Sequence, residues 1–192
     1  MFIAFEGLDG SGSSTHARLL AERLRATGKP VLLTKEPTSD TPTGRQIRDI
    51  LRHKQAASPE ALQRLFVEDR AAHLKDVIEP ALARGEIVIT DRYLFSTLAY
   101  GAPEVPMELL KSLNQNFRLP DITLFLRLDP RLCLERIRGR GQDFELFEKE
   151  AALKKVLANY EAISKDYPNF VTIDASGTIE ETAKRIDKAI VF

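Results

Sequence analysis

Between Gly7 and Thr15 the chain reads Gly-Leu-Asp-Gly-Ser-Gly-Ser-Ser-Thr. Gly7, Gly12 and Ser14 hold the spacing of a phosphate-binding loop, G-x-x-x-x-G-K-[ST], set between a strand and a helix. Glycines there let the backbone N–H groups of Leu8, Asp9, Gly10, Ser11 and Gly12 converge on phosphate oxygens. The helix that follows directs its positive dipole end at the same point. Ser14 brings a hydroxyl of the kind that ligates Mg²⁺. Ser13, however, stands where the pattern has lysine, the residue that grips the β- and γ-phosphates. Alone, the segment reads equally well as a glycine-rich turn of any α/β fold. If it holds ATP, another cation must stand near the γ-phosphate. Candidates are Arg136, Arg138 and Arg140, which alternate with Gly139 and Gly141, and Lys35.

Two further groups have chemistry in their spacing. Asp91-Arg92-Tyr93 closes an apolar strand-like run, and open α/β sheets place ligands at the carboxyl ends of their strands. A carboxylate there organises Mg²⁺ or its water shell, and an adjacent arginine neutralises the oxygens of a transferring phosphoryl group. The alternative is a solvated ion pair. Phe66 and Arg70, four residues apart, share a helix face. A ring beside a guanidinium suits a nucleoside monophosphate, although Phe66 also reads as core between Leu62 and Val77. The three histidines and the single cysteine, Cys133, show no metal-ligand spacing.

These groups need a frame, and strand-like and helical patterns alternate throughout the chain. Strands are expected at Phe2–Glu6, Pro30–Lys35, Glu86–Thr90, Asp121–Leu128 and Phe170–Ile173. Helices are expected from about Thr15 to Thr27, around Arg45–Arg52, from Pro59 to about Arg84, from Pro130, and from about Glu148 to Lys165. A closing helix carries Ile179, Ala183, Ile186 and Ile190 on its inner face. Ser58-Pro59 is a good helix start, serine as cap and proline in the first turn. The expected architecture is a doubly wound α/β domain of three layers with a five-stranded parallel sheet, spanning 1–192 as one unit.

The chain has 192 residues, 43% hydrophobic and 29% charged, enough for a substantial core. Its 28 basic and 28 acidic residues balance, which argues against a general nucleic-acid binder. The lone cysteine points to a reducing compartment. No apolar run nears the ~20 residues of a membrane span, and no leader is recognisable, so a soluble cytoplasmic protein is expected.

Six segments in order resemble the thymidylate kinase family: Phe5–Gly10, Thr34-Lys35-Glu36-Pro37, Leu65–His73, Asp91–Tyr100, Pro120-Asp121 and Ile173–Ser176. Lys35 departs from the pattern, which usually has arginine there. The resemblance implies a P-loop kinase that moves a phosphoryl group from ATP to dTMP, with Mg²⁺ as cofactor. It implies that Asp9 meets the acceptor's sugar or phosphate region and that Arg48 meets its phosphate. It further implies an acceptor site including Glu36, Pro37, Phe66, Arg70, Arg92, Ser96 and Thr97. Tyr100 would close the sugar pocket against a 2′-hydroxyl, or else be a packed helix residue. Residues 136–148 would form a mobile lid, with Arg138 and Arg140 joining Asp91 and Arg92 in catalysis and Arg136 at ATP. Family members pair through long helices, so a homodimer is expected.

Two other readings stand beside this one. A nucleotide-binding protein that has lost catalysis would account for Ser13, and a kinase of the same fold could use another acceptor. The absence of an Asn-Lys-x-Asp motif argues against a GTPase.

Overall fold

The computed structural model describes residues 1–139 and 146–190. Five parallel strands form one sheet: β1 (Phe2–Gly7), β2 (Val31–Lys35), β3 (Ile87–Asp91), β4 (Ile122–Arg127) and β5 (Phe170–Asp174), in the order β2-β3-β1-β4-β5. This is the α/β architecture expected from the alternating pattern. β1 lies at its centre, and all six of its residues are buried. Helices cover both faces, so a central strand reads as a near-continuous apolar run rather than an alternating one, broken here by Glu6. Asp121 fixes the register at the strand's start, its Oδ2 accepting from the Phe2 N–H at 2.7 Å.

Helix α1 (Ser13–Ala26) packs on β1, β2 and β3, and α9 (Ile179–Ala189) packs on β5 and α1. Thr178 and Glu181 form a reciprocal capping box at the start of α9. Ile186 and Ile190 face inward as expected, but Ile179 is 53% exposed. That corrects the expected inner face: Ile179 sits in the first turn, directly after the Thr178 cap, where the helix has not yet reached the core.

The long helix from Pro59 is a composite. Ser58 caps α3 (Pro59–His73), a π-helical turn spans Leu74–Ile78, and α4 (Glu79–Ala83) ends before Gly85. α2 (Pro42–Leu51), capped by Thr41, packs on α3. Between β3 and β4 lie α5 (Leu94–Gly101) and α6 (Met107–Asn114). α7 (Pro130–Arg138), capped by Asp129, leads toward the undescribed residues 140–145, and α8 (Leu146–Asp166) follows them. α8 packs on α5, α7 and β5. Its Tyr160 stacks on Phe125 of β4 with ring centroids 5.0 Å apart, a contact worth about 0.5–1.5 kcal/mol beyond area burial. No helix among the described residues is long and apolar enough to cross a membrane.

The chain leaves β1 toward β2, returns to β3 and then crosses to β4 on the other side of β1. The carboxyl end of β1 is therefore a topological switch point, where such sheets open a crevice.

Candidate active site

A cleft of about 1180 Å³ occupies that end of the sheet. Its floor is the turn after β1, and its walls come from the ends of β2 and β3 and from α5, α7 and α8. Gly10 and Gly12 adopt φ values of +86° and +99°, which ordinary side chains rarely take, and Gly12 leads directly into α1. A Cβ at Gly10 would lie 2.5 Å from the Cys133 carbonyl oxygen, so the turn is pressed against α7. Gly10→Ala should therefore cost about 1–3 kcal/mol from backbone strain alone and displace the turn. A thermal melt with an ATP titration checks this; unchanged stability and affinity would refute the tight fit. Burial pushes the Cys133 thiol up to about 12, which leaves it a poor nucleophile.

Ser14, in the first turn of α1, donates from Oγ to Asp91 Oδ2 at 2.5 Å. Asp91 Oδ1 is buried and has no hydrogen-bond partner. A buried, unsatisfied carboxylate oxygen beside a serine hydroxyl, facing a phosphate-type turn, is a donor set suited to a hard divalent cation. No cluster of three or more His, Cys, Asp or Glu side chains surrounds it among the described residues, so nucleotide oxygens and water would complete the shell.

Arg92 is held from several sides of the site. Its backbone is left-handed, φ 71°, and is held by the Arg92 N–H donating to the Phe5 carbonyl at 2.9 Å and by Thr90 Oγ1 donating to the Arg92 carbonyl at 2.8 Å. Nη1 donates to the Gly7 carbonyl and to Ser96 Oγ, each at 3.1 Å, and Nη2 donates to Asp9 Oδ1 at 2.7 Å. The guanidinium lies 5.0 Å from the centroid of the Tyr100 ring. Burial opposes its charge, but the oxygens of Tyr100, Asp9, Tyr160 and Glu6 outweigh that and keep it protonated. Tyr100 accepts from the Asp9 N–H at 2.9 Å, and its phenol is pushed up to about 12 by burial, with Arg92 opposing.

Beneath Arg92 lies Glu6, completely buried in β1. Its Oε1 accepts from the N–H groups of Tyr93 and Ser96, and its Oε2 accepts from Ser96 Oγ at 2.5 Å and Tyr160 Oη at 2.8 Å. Burial still raises its pKa to about 7 against these lowering contacts.

On the acceptor side of the expected constellation, Glu36 and Pro37 line the cleft, but Arg48, Phe66, Arg70, Ser96 and Thr97 do not. Arg70 is 1% exposed. It donates to Glu36 Oε2 at 2.9 Å, Asn114 Oδ1 at 2.5 Å and Thr97 Oγ1 at 2.9 Å. His73 joins the same network, its Nδ1 3.1 Å from Glu36 Oε1 and its Nε2 2.7 Å from Thr34 Oγ1. Because an ionised carboxylate only accepts, Nδ1 carries the proton. Arg48 donates to the carbonyls of Thr38 and Ser39. Phe66 is half-buried and is not among the residues packed on the main core.

Arg136 donates to the carbonyls of Ser11 and Ala175, at 3.3 and 3.0 Å, and so bridges the turn and the end of β5. Arg138 is exposed at the end of α7. Arg140 lies outside the described residues, as does part of the expected lid at 136–148. Sequence reasoning missed Glu6, Asn114 and Lys155. Lys155 lines the cleft from α8. A glutamate within an otherwise apolar strand was the available signal for Glu6; nothing in the local pattern marks Asn114 or Lys155.

The model of the family described as thymidylate kinase matches residues 5–186. A probable thymidylate kinase of Pyrococcus abyssi is 39% identical over 191 residues, covering 96% of this chain and 93% of that protein. One from Thermococcus onnurineus is 41% identical, covering 94% and 92%. A thymidylate kinase of Paraburkholderia xenovorans is 39% identical, covering 100% and 97%. With a match running from the first strand to the last helix, the chain belongs to the thymidylate kinase family.

Proposed function

We propose that this chain transfers the γ-phosphoryl group of ATP to dTMP, giving dTDP and ADP, with Mg²⁺ as cofactor. The observation that carries the reading is the convergence of the Gly7–Thr15 turn, Asp91 and Arg92 on one cleft in a chain of this family. The turn's N–H groups and the start of α1 hold the donor phosphates. Ser14 and Asp91 hold Mg²⁺, which when bound neutralises phosphate charge. Arg92, restrained by Asp9 and the Gly7 carbonyl, stabilises the transferring oxygens. Such catalysis rests on positioning and charge neutralisation rather than on a strong base.

With Ser13 in the lysine position, Lys35 and Lys155 supply further positive charge along the cleft, and Arg136, Arg138 and Arg140 belong to the same donor-side reading. Glu36, Pro37 and Tyr100 bound the acceptor's side. Phe66, Arg48, Arg70, Ser96 and Thr97 complete it, with Arg70 and Arg48 shaping its walls through Glu36 and the 38–39 carbonyls. Val77, 37% exposed on the composite helix, suits pairing of two copies through that helix, and a monomer by light scattering would remove this part. A cytoplasmic site of action is part of the same reading.

ADP release from ATP·Mg²⁺, measured with dTMP, dUMP, UMP, CMP, AMP and GMP offered separately, tests the function. Turnover should be highest with dTMP and should collapse when a chelator removes Mg²⁺. Nucleotide binding without turnover on any acceptor would make Ser13 decisive and leave a binding protein instead.

A further inference from the structure

We propose that Glu6 is a positioning residue for phosphoryl transfer, fixing Arg92 through Ser96 and joining that arginine to helix α8 through Tyr160. The inference rests on the role assigned to Arg92 above. A carboxylate with no solvent exposure is costly unless its oxygens are fully engaged. Here four donors reach it from two elements: the Tyr93 and Ser96 N–H groups and Ser96 Oγ at the start of α5, and Tyr160 Oη from α8. An ionised carboxylate can only accept. Both hydroxyls therefore turn their protons toward Glu6, which leaves a lone pair on Ser96 Oγ for the Arg92 Nη1 donor, 3.1 Å away. Ser96 Oγ and Tyr160 Oη, 3.0 Å apart, complete the cluster.

A neutral Glu6 undoes this arrangement. The proton on its carboxyl must be donated to one of the two hydroxyls, and that hydroxyl then swings its own proton elsewhere. The acceptor offered to Arg92 is weakened, and the compensating negative charge beneath the guanidinium is gone. Besides the Tyr93 and Ser96 donors, the charged and titratable groups acting on Glu6 are Arg92 from the turn after β3 and Tyr160 from α8; its register partner on β4, Phe125, is apolar. Burial raises the Glu6 pKa to about 7, so both arrangements are populated around that pH.

The test compares kcat, both KM values and the pH profile of the wild type, Glu6→Gln and Tyr160→Phe, with ATP·Mg²⁺ and dTMP. Glutamine keeps the shape of the neutral acid. Its kcat should fall about 10–100-fold, as expected for a misplaced catalytic group, with KM values little changed. The wild-type rise of kcat through pH about 7 should be absent in Glu6→Gln. Tyr160→Phe removes one contact that lowers the Glu6 pKa, so its rise should move to higher pH. Wild-type kcat and an intact rise in Glu6→Gln would overturn the proposal. If that variant fails to fold, an unmoved rise in Tyr160→Phe overturns it. A wild type that phosphorylates no acceptor would instead refute the functional reading, so the two failures are distinguishable.

Discussion

Arg92→Ala is expected to lower kcat for phosphoryl transfer by about 10³-fold, the scale on which arginines act at transferring phosphoryl groups. The side chain is held in place before any nucleotide arrives, by Gly7, Ser96 and Asp9 and by the face of Tyr100. A preorganised cation is worth more than one that must be recruited, because no reorganisation accompanies the reaction. The fold should persist, since the backbone bonds at Phe5 and Thr90 do not involve the guanidinium. Arg92→Lys should fall well short of the wild type as well, because an ammonium cannot reach three separated acceptors in one planar fork. Steady-state kinetics beside a thermal melt decide the matter. A near-normal kcat for the alanine variant would remove Arg92 from catalysis.

The second large effect concerns folding. Arg70→Met should destabilise the protein by about 3–5 kcal/mol, the usual cost of breaking a buried ion pair from one side. Arg70 Nη2 and Glu36 Oε2 lie 2.8 Å apart, with both side chains at most 3% exposed. Without the guanidinium, the Glu36 carboxylate keeps only His73 among the described residues, while Asn114 Oδ1 and Thr97 Oγ1 lose a donor. Adding Glu36→Gln should recover part of the loss, because no uncompensated charge then remains. Denaturant unfolding of the two single variants and the double measures it. A loss below about 1 kcal/mol for Arg70→Met, the range of exposed pairs, would show that the pair is not the structural anchor described.

What the sequence revealed follows from what local pattern can encode. The inner strands β1, β3 and β4 were legible because buried parallel strands are short apolar runs, and the loop was legible because its glycines are required one by one. α5 was legible only as the helix of Tyr100, without bounds: Leu94, Phe95, Leu98, Ala99 and Gly101 are all buried, so no helical stripe marks its extent. The π-helical turn at Leu74–Ile78 leaves composition unchanged and gives no sign in the pattern. For the site, Arg70 showed its spacing to Phe66 but not its partners Glu36 and Asn114, which are 34 and 44 residues away. Glu6 showed its polarity within an apolar strand but not its donor Tyr160 on α8, which is 154 residues distant.

The left-handed backbone at Arg92 bears on how such a chain could drift over generations. An arginine at φ 71° carries a standing cost of about 1–3 kcal/mol that glycine would largely escape. Any lineage released from the need for phosphoryl transfer therefore has a change at this one position that relieves its backbone. Relief of that strain favours the change, while the guanidinium's own contacts and selection for turnover oppose it. An arginine still seated there speaks for a working kinase, even where the neighbouring loop has exchanged lysine for Ser13.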